Sequence, residues 1–393
     1  MPSPCHSTSL HFLRDHVTHT LGFYERHAFD PKGGFFHHLL DDGQVRDPGF
    51  KHLVSATRHV FNWSMAWRHS RQDRHREWAR HALSDLEMFR RPDGLYAWTV
   101  QAGRIQDATV MAYGQAFVLL AQAHALAAGL GSVQAVAEAF ERMESTFYKP
   151  ADRAYADEIT PDGVLLPYRG QNANMHMCEA CLAAHAFTGE ARYLARAEQL
   201  IERFAFELAE PSAGLIWEHY TEDWRIDWDY NRDSPGNIFK PWGFQTGHQT
   251  EWAKLLLIAH AQRPEPRWLA KAEALQQAAW RHGLDPVHGG LVYGFDPDLR
   301  ICDGDKYFWV QAESLASAWR LWRLTGHQDY LAQYRHLWQW SWQHLVDHRH
   351  GAWFRVASAE GRVKDDSKSP PGKVDYHTLG ACWDVMSVGG LDE

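Results

Sequence analysis

The 393-residue sequence predicts an all-α fold, an (α/α)6 barrel of twelve helices with short hairpin-like connections. Two observations lead there. One pattern recurs along the chain: a Gly or Pro turn, an aromatic-rich alternating stretch, a second turn with Asp or Gly, then an apolar helix. The six copies are "FDPKGGFFHHLLDDGQ", "RRPDGLYAWTVQAGR", "KPADRAYADEITPDG", "AEPSAGLIWEHYTED", "LDPVHGGLVYGFDPDL" and "VDHRHGAWFRVASAEG". Aligned on Gly34, Gly94, Ala154, Gly214, Gly290 and Gly351, they are spaced by 60, 60, 60, 76 and 61 residues. A near-constant period across the whole chain implies one architecture of stacked units. With no linker to cut at, residues 1–393 read as a single catalytic domain.

The second observation is a contrast between the helices on either side of each copy. In the first unit "STSLHFLRDHVTHTLGFYERH" precedes the stretch and "FKHLVSATRHVFNWSMAWRHS" follows, both with apolar residues at i, i+3, i+4. In the last, "DYLAQYRHLWQWSWQHLVDH" precedes and "DYHTLGACWDVMSV" follows. The following helices are the more continuously apolar, as in "TVMAYGQAFVLLAQAHALAAG", "TEWAKLLLIAHAQ" and "ESLASAWRLWRL". They belong inside. The preceding ones carry more charge, as in "QDRHREWARHALSDLEMF", and belong outside. An inner ring of six within an outer ring of six gives this contrast one core; an open superhelix is the alternative.

Composition narrows the function classes. Hydrophobic content of 45% with 23% charged residues is that of a globular protein with a large core. A net charge of −9 and no Lys/Arg run argue against nucleic-acid or anionic-membrane partners. "MPSPCHSTSLHFLRDH" lacks a signal-like apolar stretch and no run approaches a membrane span, so a cytoplasmic protein is expected, monomeric or homodimeric. The five cysteines, Cys5, Cys178, Cys181, Cys302 and Cys382, form no disulfide framework and read as reduced. Cys178 and Cys181 form C-x-x-C within an apolar helix, with no second pair to complete a zinc site, and read as core. Most of the 19 Trp can fill a core, though such a surplus also suits stacking on sugar rings.

Polar residues interrupt the inner helices in register. Counted from the six anchors, Arg58 lies 24 residues on, Tyr113 19, His176 22, His248 34, Glu313 23 and His377 26, each near an inner helix's N-terminal end. Parallel inner helices would bring them to one mouth. Two units repeat a local design. "NANMHMCEA" supplies Asn172, His176 and Glu179, and "GFQTGHQTEW" supplies Gln245, His248 and Glu251. His-x-x-Glu puts both side chains on one helix face, where the carboxylate can hold the imidazole. "DKYFWVQAES" offers Lys306, Trp309 and Glu313 along one face. Glu251 and Glu313 interrupt apolar faces, where an unpaired carboxylate is costly, so each implies a ligand or partner. His37, His38, His348 and His350 lie in hairpin stretches and read as surface groups.

Two histidines across a pocket, with carboxylates and an arginine, suit general acid–base catalysis near neutral pH. A metal held by His176, Glu179, His248 and Glu251 is the competing use of the same residues. Inverting glycoside hydrolysis would use the carboxylates and leave the histidines idle. Proton shuttling on a sugar uses the set more fully: one His removes the proton α to a carbonyl that Arg or protonated His polarises.

"RHVFNWSMA", "NANMHMCEA", "GFQTGHQTEWAKLLL", "DKYFWVQAE" and "DYHTLGACW", set in a repeat spanning essentially the whole chain, resemble the N-acylglucosamine 2-epimerase superfamily. The "GFQ" lead and the Trp after the glutamate are most similar to its aldose–ketose isomerase branch, D-mannose isomerases in particular. The resemblance implies mannose–fructose isomerisation through a cis-enediolate, with a small monosaccharide as substrate and no metal or nucleotide as catalyst. It implies that His377 moves the proton from C2 to C1 and that His248, held by Glu251, assists ring opening or acts as the opposing acid/base. Arg58 would stabilise the enediolate, while Asn172, His176, Glu179, Trp309 and Glu313 orient hydroxyls; Tyr113 and Lys306 match less specific positions. The alternatives are 2-epimerisation of mannose, cellobiose or N-acylglucosamine, sulfoquinovose isomerisation, and a non-catalytic sugar-binding protein. The fourth unit's excess, "DWDYNRDSPGNIFKPW", precedes His248 and is placed to cover the mouth.

Overall fold

A computed structural model describes residues 4–389. Twelve α-helices follow one another along these residues: α1 Leu10–His27, α2 Leu53–Ser70, α3 Asp73–Asp85, α4 Ala112–Ala127, α5 Val133–Thr146, α6 Gln171–Thr188, α7 Ala191–Ile201, α8 Thr246–Gln262, α9 Pro266–Gly283, α10 Phe308–Thr325, α11 Gln328–His344 and α12 Tyr376–Ser387. The even-numbered helices form the inner ring. Each packs on the next even-numbered helix, and α12 returns to pack on α2. The odd-numbered helices cover them, and the fold is the (α/α)6 barrel.

Burial follows the sequence contrast. In α4 twelve of sixteen residues are buried, whereas in α5 only Val136, Phe140 and Met143 are. Most of the tryptophans serve this core, with Trp63, Trp217, Trp252, Trp268, Trp319, Trp338, Trp353 and Trp383 essentially inaccessible. Cys178, Cys181 and Cys382 are buried free thiols and Cys302 is a partly buried one; the Cys5 side chain lies outside the described set. Among the described residues no helix is long and apolar enough to cross a membrane.

The hairpins sew neighbouring units together. The strand entering an inner helix pairs with a strand of the next unit: Phe50–His52 with Thr99–Gln101, Val110–Met111 with Glu158–Ile159, and Arg169–Gly170 with His219–Tyr220. Phe244–Gln245 with Gly294–Phe295, and Lys306–Tyr307 with Val356–Ala357, continue the series. Ser367–Ser369 then pairs with Leu39–Leu40 of the first unit, which closes the ring and rules out an open superhelix.

A side-chain amide on four inner helices repeats the attachment. Gln115 accepts from the Tyr96 N–H and donates to the Tyr96 carbonyl. Asn174 does the same for Tyr155, Gln249 for Ile216, and Gln311 for Leu291. Each fixes a buried hairpin edge that would otherwise leave two polar groups unpaired. In the first unit His59 instead stacks on Phe35, ring centroids 4.5 Å apart.

Two sequence expectations need correction here. Five of the six anchors are left-handed glycines, but in the third unit the left-handed residue is Arg153 (φ 54°), so that Ala154 stands one position late. His348 is exposed and His38 and His350 partly so, but His37 is fully buried, its Nδ1 accepting from the His52 N–H at 2.7 Å. Alternation within the stretch turns His37 inward beside Phe35 and Leu39.

Candidate active site

The inner helices present their N-termini to one mouth, and the sequence-derived residues gather within their first three turns. Arg58 comes from α2, Tyr113 from α4, Asn172, His176 and Glu179 from α6, His248 and Glu251 from α8, Trp309 and Glu313 from α10, and His377 from α12. Trp309 lies between the two histidines, its ring centroid 4.9 Å from His248 and 5.8 Å from His377. Gly247 makes room for it, since a Cβ there would fall 2.3 Å from the indole. That accounts for the second glycine of "GFQTGHQTEW"; the first, Gly243, has φ 98°.

Each histidine is fixed by a carboxylate at Nδ1. His377 Nδ1 lies 2.6 Å from Glu313 Oε1 and donates to it, which leaves Nε2 as an acceptor 3.3 Å from Arg58 Nη2. Arg58 also donates to the Tyr113 hydroxyl (3.1 Å) and the Gly372 carbonyl (2.7 Å), and its guanidinium stacks over Phe117 and Tyr376. His176 Nδ1 donates to Glu179 across i, i+3 at 2.9 Å, as the spacing predicts.

His248 departs from expectation. Its Nδ1 lies 2.9 Å from both oxygens of Glu218, not against Glu251. Glu218 also accepts from Gln171 Nε2 at 3.0 Å, and Trp252 Nε1 donates to Gln171 Oε1 at 2.7 Å, holding that amide in register. The tryptophan after the motif's glutamate thus orients His248 through two intermediaries. Glu218 precedes the strand His219–Tyr220 in the fourth hairpin, where the Nδ1 side of His248 faces it. Its signal in the sequence is one acid amid the aromatics of "GLIWEHY".

Glu251 points instead toward the barrel axis, 4.0 Å from His176 Nδ1, and among the described residues neither of its oxygens has a hydrogen-bond partner. Lys306 leaves the site altogether, buried against Asp285 at 2.7 Å and the Ala359 carbonyl. It belongs to the strand before α10, where the alternating direction points it away from the face Trp309 uses. The cation at the floor is Lys254, ion-paired with Glu313. Ligand-type atoms of His176, Glu179 and Glu251 lie within 4.8 Å of one another, as do those of Glu251, Glu313 and His377. Either trio could hold an ion, and His248 belongs to neither.

Asn172 and Tyr113 face a cleft of about 250 Å³ at the rim, shared with Trp98, Tyr168, Phe239 and Lys240. The insertion reaches across this rim: Phe239 lies 6.0 Å from Trp98, Lys240 pairs with Glu158 at 3.4 Å, and the Asn237 carbonyl accepts from the Tyr293 hydroxyl.

The family model for N-acylglucosamine 2-epimerase (GlcNAc 2-epimerase) matches residues 34–381. The chain belongs to this family. It is 45% identical to a D-mannose isomerase of Marinomonas mediterranea over 96% of this chain and 97% of that protein. A crystal structure of D-mannose isomerase superposes with a TM-score of 0.94 at 44% identity, covering 97% of this chain and 98% of that one. A cellobiose 2-epimerase of Bacteroides fragilis is 22% identical over 92% of this chain and 94% of its own.

In this member of the N-acylglucosamine 2-epimerase family, electrostatics separate the titratable groups. Burial, reinforced by Arg58, pushes His377 well below the usual imidazole range, so that it is neutral at pH 7. Burial likewise lowers His176 to about 4. Burial, then the Glu313 charge, pushes Glu251 well above the usual carboxylate range despite the Lys254 charge, which favours the protonated acid. For Glu179 burial acts upward, but the His176 hydrogen bond and the Lys254 charge outweigh it and keep it ionised. The site therefore offers neutral imidazoles as bases, a neutral carboxylic acid as donor and a fixed guanidinium.

Proposed function

We propose that the chain is an aldose–ketose isomerase that interconverts D-mannose and D-fructose through a cis-enediolate. The observation that carries this reading is the pair of histidines flanking Trp309, each with Nδ1 engaged by a carboxylate, so that Nε2 is the nitrogen left to take a proton, on His377 beside Arg58. The full-length likeness to D-mannose isomerases supports it. His248, held by Glu218, moves the proton between the anomeric hydroxyl and the ring oxygen to open the sugar. His377 Nε2 takes the C2 proton and returns it to C1 on the same face. Arg58 and the positive ends of the six inner helices stabilise the enediolate charge. Trp309 supplies an apolar face for the sugar, and Tyr113, Asn172, His176 and Glu251 orient its hydroxyls. Glu179 and Glu313 act through the histidines they hold. No step is assigned to a metal. Residues 1–393 serve as one catalytic domain, and free, buried thiols such as Cys178 and Cys181 suit a reducing, cytoplasmic setting.

NMR of D-mannose with the enzyme in D2O containing EDTA tests the reading. Fructose formation, with any solvent deuterium entering at C1, is the expected result. Glucose without fructose would make the protein a 2-epimerase, and no product would leave only sugar binding.

A further inference from the structure

Lys373 is a cation at the mouth that the proposed chemistry leaves without a task. It follows Gly372, whose carbonyl accepts from Arg58 and whose N–H donates to Ser55 Oγ at 2.9 Å, so its backbone is pinned at the entry to α12. The side chain is partly buried beneath the insertion, with Nζ 5.8 Å from the Phe239 ring centroid. Lys254, Lys306 and Lys368 are each held by a carboxylate. Among the described residues nothing accepts a hydrogen bond from Lys373 Nζ or forms an ion pair with it, while the Lys373 backbone N–H donates to the Pro370 carbonyl at 2.9 Å. Burial and the Arg58 charge lower its amine to about 7, so much of it is unprotonated at neutral pH. The residue before it, Gly372, holds Arg58, and Phe239, over which its amine sits, lines the rim cleft with Tyr113, so Lys373 stands at the mouth of the site.

A desolvated lysine next to another cation is an activated nucleophile toward carbonyls. The isomerase reading, on which this inference rests, brings an open-chain sugar into the same space with its carbonyl near Arg58. We propose that Lys373 condenses with the carbonyl carbon of the bound open-chain aldose or ketose to form a reversible imine. The Nζ lone pair adds to C1 of the aldose or C2 of the ketose, and the carbonyl oxygen takes up a proton to give a carbinolamine. The N=C bond then forms as the C–O bond breaks, and the oxygen leaves as water, its two hydrogens balanced by the two that Nζ gives up. One water is released and nothing is oxidised or reduced. The imine occupies the carbonyl that enediolate formation needs, so it is a side equilibrium that diverts bound sugar at high concentration.

Sodium borohydride added to the full-length protein with D-mannose would fix the imine as a secondary amine, and peptide mass mapping would locate it. The expected result is a reduced hexose adduct on Lys373 at roughly tenfold or more the level on exposed Lys32, suppressed by mannitol, which has no carbonyl. Lys373→Arg, which keeps a cation but cannot condense, should lose the adduct. Equal labelling of Lys373 and Lys32, labelling indifferent to mannitol, or the same mass persisting on the Lys373→Arg peptide would each overturn the proposal. Product NMR on the same preparation without reductant reads the isomerase assignment separately. Mannose converted to fructose with Lys373 unlabelled overturns the imine alone; Lys373 labelled with mannose unconverted supports it and overturns the isomerase assignment.

Discussion

Glu313 holds His377 through a 2.6 Å contact between Oε1 and Nδ1, and its other oxygen is taken up by Lys254. The carboxylate fixes the tautomer that leaves Nε2 unprotonated, an acceptor beside Arg58, and it stabilises the imidazolium that forms when the C2 proton is taken. Glu313→Gln keeps the shape but removes that stabilisation. We expect kcat to fall by about 10²–10⁴-fold while KM for mannose changes only a few-fold. His377→Asn should abolish turnover and retain sugar binding by calorimetry. A Glu313→Gln enzyme with unchanged kcat would remove the carboxylate from the mechanism.

The same burial sets a pH dependence. A base must be neutral to act, and His377 is held well below 6.5, so its active form persists as the pH falls through the range where an ordinary histidine protonates. The acid limb of kcat/KM for mannose should therefore lie well below pH 6.5, with circular dichroism at each pH confirming that the fold is intact. A limb centred near 6.5 would show that His377 is not the base, or that it is not desolvated.

Glu251 makes a stability prediction with the opposite sign. Its folded-state pKa is raised, so above the usual carboxylate range the unfolded chain releases a proton that the folded chain keeps. Stability is then lost as the pH rises, by about 1.4 kcal/mol for each pH unit in which the two states differ by this one proton. Glu251→Gln removes this penalty. The variant should match the parent near pH 4 and unfold at a higher temperature at pH 7–8, which scanning calorimetry would read.

The ring was legible because a repeat imposes one pattern six times, and the pocket because polar residues at Arg58, Tyr113, His176, His248, Glu313 and His377 break an apolar face in register. What was not legible depends on direction across space. Spacing gave His176 its partner Glu179 within one helix, but it also offered Glu251 to His248, and nothing along α8 shows that a hairpin acid, Glu218, lies nearer. The amide clamps were missed for a similar reason, since Gln115 and Tyr96 are on different elements. Gln115→Leu leaves the Tyr96 N–H and carbonyl buried and unpaired, and should destabilise the fold by about 2–4 kcal/mol in urea unfolding. A change under about 0.5 kcal/mol would mean the clamp is incidental.

The pairing of His248 with Glu218 makes the last prediction, because two carboxylates compete for the role. If Glu218 fixes the imidazole, then Glu218→Gln removes the charge that holds Nδ1–H and can present an amide N–H in its place, which lets the ring turn or change tautomer and slows ring opening. We expect kcat on D-mannose to fall by about 10–100-fold. Glu251→Gln should not reproduce this through His248, because Glu251 faces His176 at 4.0 Å and the axis. A double-mutant cycle separates the two. His248→Asn should largely mask the Glu218→Gln effect, giving a coupling energy of about 1–3 kcal/mol in ΔΔG‡, whereas His248→Asn and Glu251→Gln should be closer to additive. Strong coupling to Glu251 with none to Glu218 would restore the partner that helical spacing suggested.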